Sequence, residues 1–312
     1  SIVSFVKELV WPDIGTMSSA TTSTAPVTRD AAAIGSVVIT ILIWASAFPA
    51  IRAGLESFGP IELGALRFAI AGVPAALYLL ITRPGWPRGG EIWRILTGGI
   101  FFVALYTVLL NIGEQTVAAG PASFIINVNP IITAIFAMLL LNETFGRWAW
   151  LGTAISFAGI GLIAFGEGEG LSLNMGALFI FGAALCNTVT TIAQKPLFKK
   201  HRPVTVAAWN IVIGTLILAP ALPSAMAQVP QASTEALLSV IYLGIGPSMI
   251  AYATYSIMLS KFPASRASNF LYSVPPISTL LGFLWLGEVP GLMAILGGLM
   301  ALAGVVIVNI AK

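Results

Sequence analysis

The chain has one cysteine, one histidine and few charges: only 9% of its 312 residues are Asp, Glu, Lys or Arg. Each scarcity closes a class of function. Cys186 alone, inside an apolar run, leaves no disulfide framework and no cysteine-based metal site, and it reads as a small buried hydrophobe. His201 alone, in a basic loop, leaves no convergent set of acid, base and nucleophile or metal ligands, which argues against an enzyme. No cofactor is expected. A net charge of +3 without a basic stripe interleaved with aromatics gives no reason to expect a nucleic-acid partner. So little charge also excludes an ordinary surface facing water. Hydrophobic residues make up 57% of the chain and the mean hydropathy is +0.95, which places the protein in a bilayer.

What the chain does have is long apolar runs. Crossing the hydrocarbon takes roughly 20 apolar residues per helix. Runs of that order lie near 34–54, 61–82, 95–113, 119–141, 148–165, 175–194, 204–222, 237–258, 267–286 and 292–310. They lack the polar and apolar alternation of β-barrel strands. The expected fold is an all-α integral membrane protein with ten transmembrane helices. Residues 1–30, rich in Ser, Thr and Ala, read as a cytoplasmic N-terminal segment, with 1–16 as either an upstream extension or an added tag remnant before Met17. They carry no secretory signal pattern.

Residues 119–163 and 264–308 are one sequence written twice. A shift of 145 pairs Ala119 with Ala264, Ala122 and Ser123 with Ala267 and Ser268, Pro130 with Pro275, Glu143 with Glu288, Gly146 with Gly291, Gly152 with Gly297, and Gly159 with Gly304. Apolar bias does not align a Pro, a Ser, a Glu and three Gly in one register. Five helices per half is an odd number, so the second half is inverted relative to the first, the construction by which many secondary transporters open two faces alternately around one site. The halves are expected at 31–166 and 170–312, joined by the acidic turn Gly166-Glu167-Gly168-Glu169-Gly170.

Orientation follows from Lys and Arg, which cytoplasmic loops retain. With both termini inside, the inner segments collect Lys7, Arg29, Arg83, Arg88, Arg94, Arg147, Lys195, Lys199, Lys200, Arg202, Lys261, Arg266 and Lys312. Only Arg52 and Arg67 fall toward the outer side, whose turns carry Glu56, Glu62, Glu114, Glu167, Glu169, Glu235 and Glu288. Glu143 then lies inside and Glu288 outside, as inversion requires. Gly152 and Gly159 share a helix face, as do Gly297 and Gly304, and small residues on one face serve close helix packing in lipid.

Pro130 and Pro275 fall near the middles of the fourth and ninth helices, where each removes a backbone donor and frees the carbonyl one turn earlier, at Ile126 and Leu271. Beside these expected kinks stand Asn127 and Asn129 in one half and Asn269, Tyr272 and Ser273 in the other. Polar groups at the midplane need partners or a wet cavity, so interhelical hydrogen bonding and a central substrate site both account for them. Trp44, Phe48 and Arg52 form one face of the first helix, and Asn187, Thr191 and Lys195 one face of the sixth. Arg52 and Lys195 are the mouth charges, outer and inner. Tyr252 and Tyr255, with Ser248, stripe the eighth helix, and Tyr106, Thr107 and Asn111 are their counterparts on the third. Packing and a cavity wall are both open to these aromatics.

The Ala-Ser, mid-helix Pro, terminal Glu and Gly-rich final helix, present twice, and Trp44-Ala45-Ser46-Ala47-Phe48 followed by Arg52, resemble the EamA-type members of the drug/metabolite transporter superfamily. Within it the chain is most similar to the YddG-type exporters of aromatic amino acids. The resemblance covers 31–312 and implies ten helices in two inverted five-helix repeats and export of small metabolites. The expectation is an inner-membrane exporter of amino acids, aromatic or large and apolar, with the lipid bilayer and a small-molecule substrate as partners. Cationic-drug efflux is disfavoured because the cores of the first, fourth, sixth and ninth helices hold no Asp or Glu, and organophosphate exchange because paired midplane Lys or Arg is missing. A non-transporting scaffold or lipid-handling protein is the alternative of another class. Without a core carboxylate, transport is expected to need no proton, Glu114 being the boundary carboxylate outside that argument.

Overall fold

The computed structural model describes residues 31–85, 87–116, 125–166, 175–286 and 291–310. The N-terminal segment 1–30, Ala119, Ala122, Ser123, the junction 167–170 and Glu288 lie outside the described residues. All regular structure among the described residues is helical. The helices are α1 Ala31–Leu55, α2 Pro60–Thr82, α3 Gly90–Glu114, α6 Met175–Lys199, α7 Pro203–Gln231 and α8 Thr234–Lys261, all six long and apolar enough to cross a membrane. Between and after them come α4 Asn129–Leu141, α5 Arg147–Gly166, α9 at 264–286 and α10 Leu292–Ile310.

Helix ends follow local chemistry. Pro60 and Pro203 open α2 and α7 in the first turn, where a missing N–H costs nothing. Ser233 caps α8 by accepting from Ala236 N at 3.1 Å. Asn142 closes α4 in the left-handed conformation (φ 54°) that its side chain tolerates.

The prolines break their helices rather than bending them. Pro130 is the second residue of α4, directly after a turn at 127–128. Pro275 is the second residue of the segment Val274–Leu286, after a 3₁₀ turn at Leu271–Ser273. α3 and α8 share another irregularity, a π-helical stretch at Gly98–Leu105 and at Gly246–Ile250.

The bundle is apolar outside and polar between helices, the reverse of a soluble protein. Val73, Leu77, Leu80 and Ile81 of α2 and Leu292, Leu299 and Val306 of α10 are exposed, while Gln194 of α6 and Asn210 of α7 are buried and exchange two amide hydrogen bonds at 2.8 and 3.0 Å. Lipid tails solvate the first group, and the second group needs each other, such a bond being worth about 0.6 kcal/mol on average.

α5 and α10 pack backbone to backbone. A Cβ on Gly152 would stand 2.6 Å from Gly304 O, and one on Gly159 would stand 2.5 Å from Gly297 O. Ser156 donates to Ala301 O at 2.9 Å between these contacts. Rising numbers on α5 meet falling numbers on α10, so the two helices run antiparallel. α3 and α6 are antiparallel too, with Gly113 against Gly176 and Ile180, and Gly98 against Gln194. The bundle therefore has an end where Arg52 and Glu114 lie and an opposite end where Arg94 and Lys195 lie.

Candidate functional site: a central cavity

Helices α1, α2, α3, α4, α6, α8 and α9 enclose a cavity with about 680 Å³ of atom-free space, its open mouth included. Trp44, Phe48 and Ile51 line it from α1, and Tyr106 and Leu110 from α3. Ile126, Asn127 and Asn129 enter at the broken start of α4, and Leu271 and Val274 at the break in α9. Asn187 comes from α6, Pro247 and Tyr252 from α8, and Arg67 from α2. Ile51, Arg67 and Leu110 carry the cavity toward the Arg52 end.

Its opposite wall is aromatic. Phe102 stacks on Tyr252 with ring centres 4.6 Å apart, and Trp44 meets Tyr255 at 5.0 Å and Phe102 at 6.1 Å. Within the π-helical stretch of α3, Phe102 O accepts from the Tyr252 hydroxyl at 2.8 Å. The buried Tyr hydroxyl thus has the partner it requires, and the irregular backbone locks α3 to α8.

The polar groups are held in fixed poses. Asn129 Oδ1 accepts from Thr133 Oγ1 at 2.9 Å and from Thr188 Oγ1 at 2.7 Å. Asn187 Oδ1 accepts from Thr191 Oγ1 at 3.1 Å, and Thr191 and Tyr255 share a hydrogen bond at 2.7 Å. Both carboxamides therefore use their oxygens on protein, and their Nδ2 donors have no protein partner among the described residues.

Of the residues singled out from sequence, Trp44, Phe48, Tyr106, Asn127, Asn129, Asn187 and Tyr252 come together on this cavity. Thr191 and Tyr255 stand one layer behind, orienting Asn187 and packing on Trp44. Four lie elsewhere. Asn111 donates to Pro60 O at 2.8 Å and ties α3 to the start of α2. Asn269 accepts from Thr153 at 3.0 Å and donates to Ser265 O at 2.8 Å. Tyr272 is fully buried against Ile160, Ala301 and Val305, and Ser273 is buried beside it. The 3₁₀ turn at Leu271–Ser273 advances side chains by about 120° per residue instead of 100°, and Tyr272 points at α5 and α10. Of the two carbonyls expected to be freed by proline, that of Leu271 accepts from Val274 N–H.

The mouth charges differ. Arg52 is exposed at the end of α1. Lys195 is partly buried, and its Nζ donates to the carbonyls of Leu259 and Phe262 at the end of α8. Glu143 binds across the fold, accepting from Ala264 N at 2.7 Å and from Ser265 N and Oγ at 3.1 and 2.8 Å, which caps the N-terminus of α9. Glu114, just beyond Leu110, is buried with both oxygens lacking a hydrogen-bond partner among the described residues.

Arg67 is the residue that sequence placed too near the surface. It is 5% exposed and lies on the cavity. The signal was its position, seven residues past the start of a 23-residue apolar helix, about 10 Å along the axis at 1.5 Å per residue.

An apolar shell, polar pairing inside and a cavity between helices define a multi-pass membrane transporter. The profile of the EamA-like transporter family matches residues 31–165 and again 174–310. The chain belongs to that family, within the drug/metabolite transporter superfamily. It is 37% identical over 263 residues to the uncharacterized transporter YdfC of Bacillus subtilis, covering 84% of this chain and 86% of that one. It is 34% identical over 278 residues to a protein of Streptantibioticus cattleyicolor named a probable terminal-alkyne amino-acid exporter, covering 89% and 93%. A solved structure with 20% identity superposes over 91% of this chain and all of its own with a TM-score of 0.74, which speaks to the fold alone.

Proposed function

We propose that the protein exports amino acids with aromatic or large apolar side chains from the cytoplasm by alternating access, a secondary transporter of the bacterial-type inner membrane. Ten transmembrane helices form two inverted repeats, 31–166 and 170–312, with both termini cytoplasmic. The antiparallel contact of α5 with α10 supports the inversion. The shift that turns Gly152 into Gly297 turns Gly159 into Gly304, so the contacts Gly152–Gly304 and Gly159–Gly297 are exchanged by the repeat. The positive-inside rule favours the end holding Arg94, Lys195 and Lys200 as the cytoplasmic one, and the cavity's extension toward the opposite end supports reading it as outward-facing.

The observation that carries the substrate class is the cavity wall: an aromatic floor at Trp44 and Tyr252 beside carboxamides fixed by threonines. Such a site pairs an apolar side chain with a polar head group. The name of the Streptantibioticus relative points to amino-acid export as well. Among the described residues no Asp or Glu lines the cavity, which supports flux driven by the substrate's own gradient without an obligatory proton.

The test is counterflow of a radiolabelled amino-acid panel in proteoliposomes. The expected result is saturable exchange of phenylalanine, tyrosine and leucine, reduced about 10-fold or more by Trp44→Ala through loss of a large aromatic contact. Exchange of lipophilic cations alone would favour cationic-drug efflux, and absence of any exchange would favour a scaffold or lipid-handling role.

A further inference from the structure

The polar part of the cavity presents several donors. Arg67 Nε donates to Ser248 Oγ at 2.7 Å, and Ser248 sits in the π-helical stretch of α8, which fixes the guanidinium plane. The Nη groups have no hydrogen bond to another described residue. Arg67 makes no ion pair with another described residue. Glu114 is within electrostatic reach of Arg67 but makes no such contact. A buried guanidinium without a contacting anion is costly, and intramembrane charges of this kind mark ligand sites. The amide nitrogens of Asn129 and Asn187 add donors to the same cavity, because threonines occupy their oxygens.

We infer that Arg67, assisted by Asn129 and Asn187, binds the carboxylate of the substrate, and that the transporter selects a carboxylate joined to an apolar or aromatic body over the corresponding amine. Guanidinium donors in a fixed fork match the two oxygens of a carboxylate. The aromatic floor takes the side chain. This rests on the cavity being the transport site proposed above and names the group by which the substrate is read.

The experiment measures binding of four compounds to the purified full-length protein: phenylalanine, its deaminated acid 3-phenylpropionate, phenylalaninamide and phenethylamine. The wild type is expected to bind both acids at least 10-fold more tightly than the amide or the amine. Arg67→Gln should weaken both acids about 10- to 100-fold, the range for hydrogen bonds to a charged group, and leave the amide within about 2-fold. If Arg67→Gln fails to fold, Ser248→Ala, which keeps the charge and releases its orientation, should weaken only the acids, by about 5-fold. Equal binding of amine and acid, or equal loss of all four compounds in a folded variant, would overturn the assignment. Arg67-dependent binding of 3-phenylpropionate without exchange of phenylalanine would keep the carboxylate site and remove the amino-acid reading. Binding of none of the four would remove both.

Discussion

Arg52 and Lys195 occupy matching places on matching helices, each eight residues beyond a cavity residue, Trp44 or Asn187, yet the two ends of the bundle are filled differently. At the Lys195 end the ammonium is tied to the last carbonyls of α8, Phe262 packs on Phe270 at 5.0 Å, and Thr191 and Tyr255 close the layer above. At the Arg52 end the guanidinium is exposed, and Ile51, Arg67 and Leu110, buried themselves, line the cavity. Among the described residues, one end is tied by hydrogen bonds and a packed aromatic layer, while the cavity lies toward the other. In the alternating access proposed above, the Lys195 hydrogen bonds and the aromatic layer are the contacts that part in the opposite state.

The frame behind both ends gives the largest expected effect. Gly152→Leu would drive a side chain into the backbone of α10, where even a Cβ stands 2.6 Å from Gly304 O and 2.9 Å from Val308 N. Rigid backbone cannot yield, so the variant should leave no folded protein by size-exclusion chromatography, whereas Ser156→Ala, losing one hydrogen bond of about 1 kcal/mol, should remain folded. A folded Gly152→Leu protein would break the account of α5 and α10.

Next in size is the clamp. Lys195→Met removes charged hydrogen bonds to two carbonyls and leaves both acceptors unsatisfied, so the shut end should open, with labelling of a cysteine placed at the buried Met258 rising about 10-fold or more. Arg52→Met should change that rate less than 2-fold, since an exposed charge contributes about 0–1 kcal/mol. Equal effects would erase the difference between the ends. Tyr255→Phe removes the hydrogen bond to Thr191 while keeping the ring, and should raise the same rate about 5-fold, the equivalent of about 1 kcal/mol.

The smallest effect is expected at Glu114. Glu114→Gln replaces a buried carboxylate that has no hydrogen-bond partner among the described residues, and concentration-driven flux should stay within about 2-fold of wild type at every pH tested, no hydrogen bond being lost. Accumulation driven by a pH gradient in the wild type, abolished by Glu114→Gln, would place a coupled proton there.

Much of this was legible in the sequence because lipid makes strong demands. Helix-length apolar runs, paired glycines and prolines in register follow from backbone satisfaction and close packing, and the packing of α5 on α10 answers directly to Gly152, Gly159, Gly297 and Gly304. The cavity residues at Trp44, Asn127, Asn129 and Asn187 were legible as polar or amphipathic groups far from either interface. Tyr272 was not, because a three-residue 3₁₀ turn redirects it and no residue type announces that turn. Arg67 was not, because a charge rule that sorts residues by loop cannot tell an arginine at a helix end from one two turns inside it.

The central claim, a cavity open at the outer end and shut at the inner one, is tested most directly by accessibility. On a Cys186→Ala background, Ile126→Cys on the cavity and Met258→Cys behind the aromatic layer would be labelled with a membrane-impermeant maleimide from the outer face of oriented vesicles. The account predicts that Ile126→Cys reacts at least an order of magnitude faster, that phenylalanine protects it, and that Met258→Cys stays unreactive from the outer face and becomes reactive from the inner face only when Lys195 is also replaced. Labelling of Met258→Cys from the outside as fast as Ile126→Cys, or labelling of Ile126→Cys only from the inside, would contradict it.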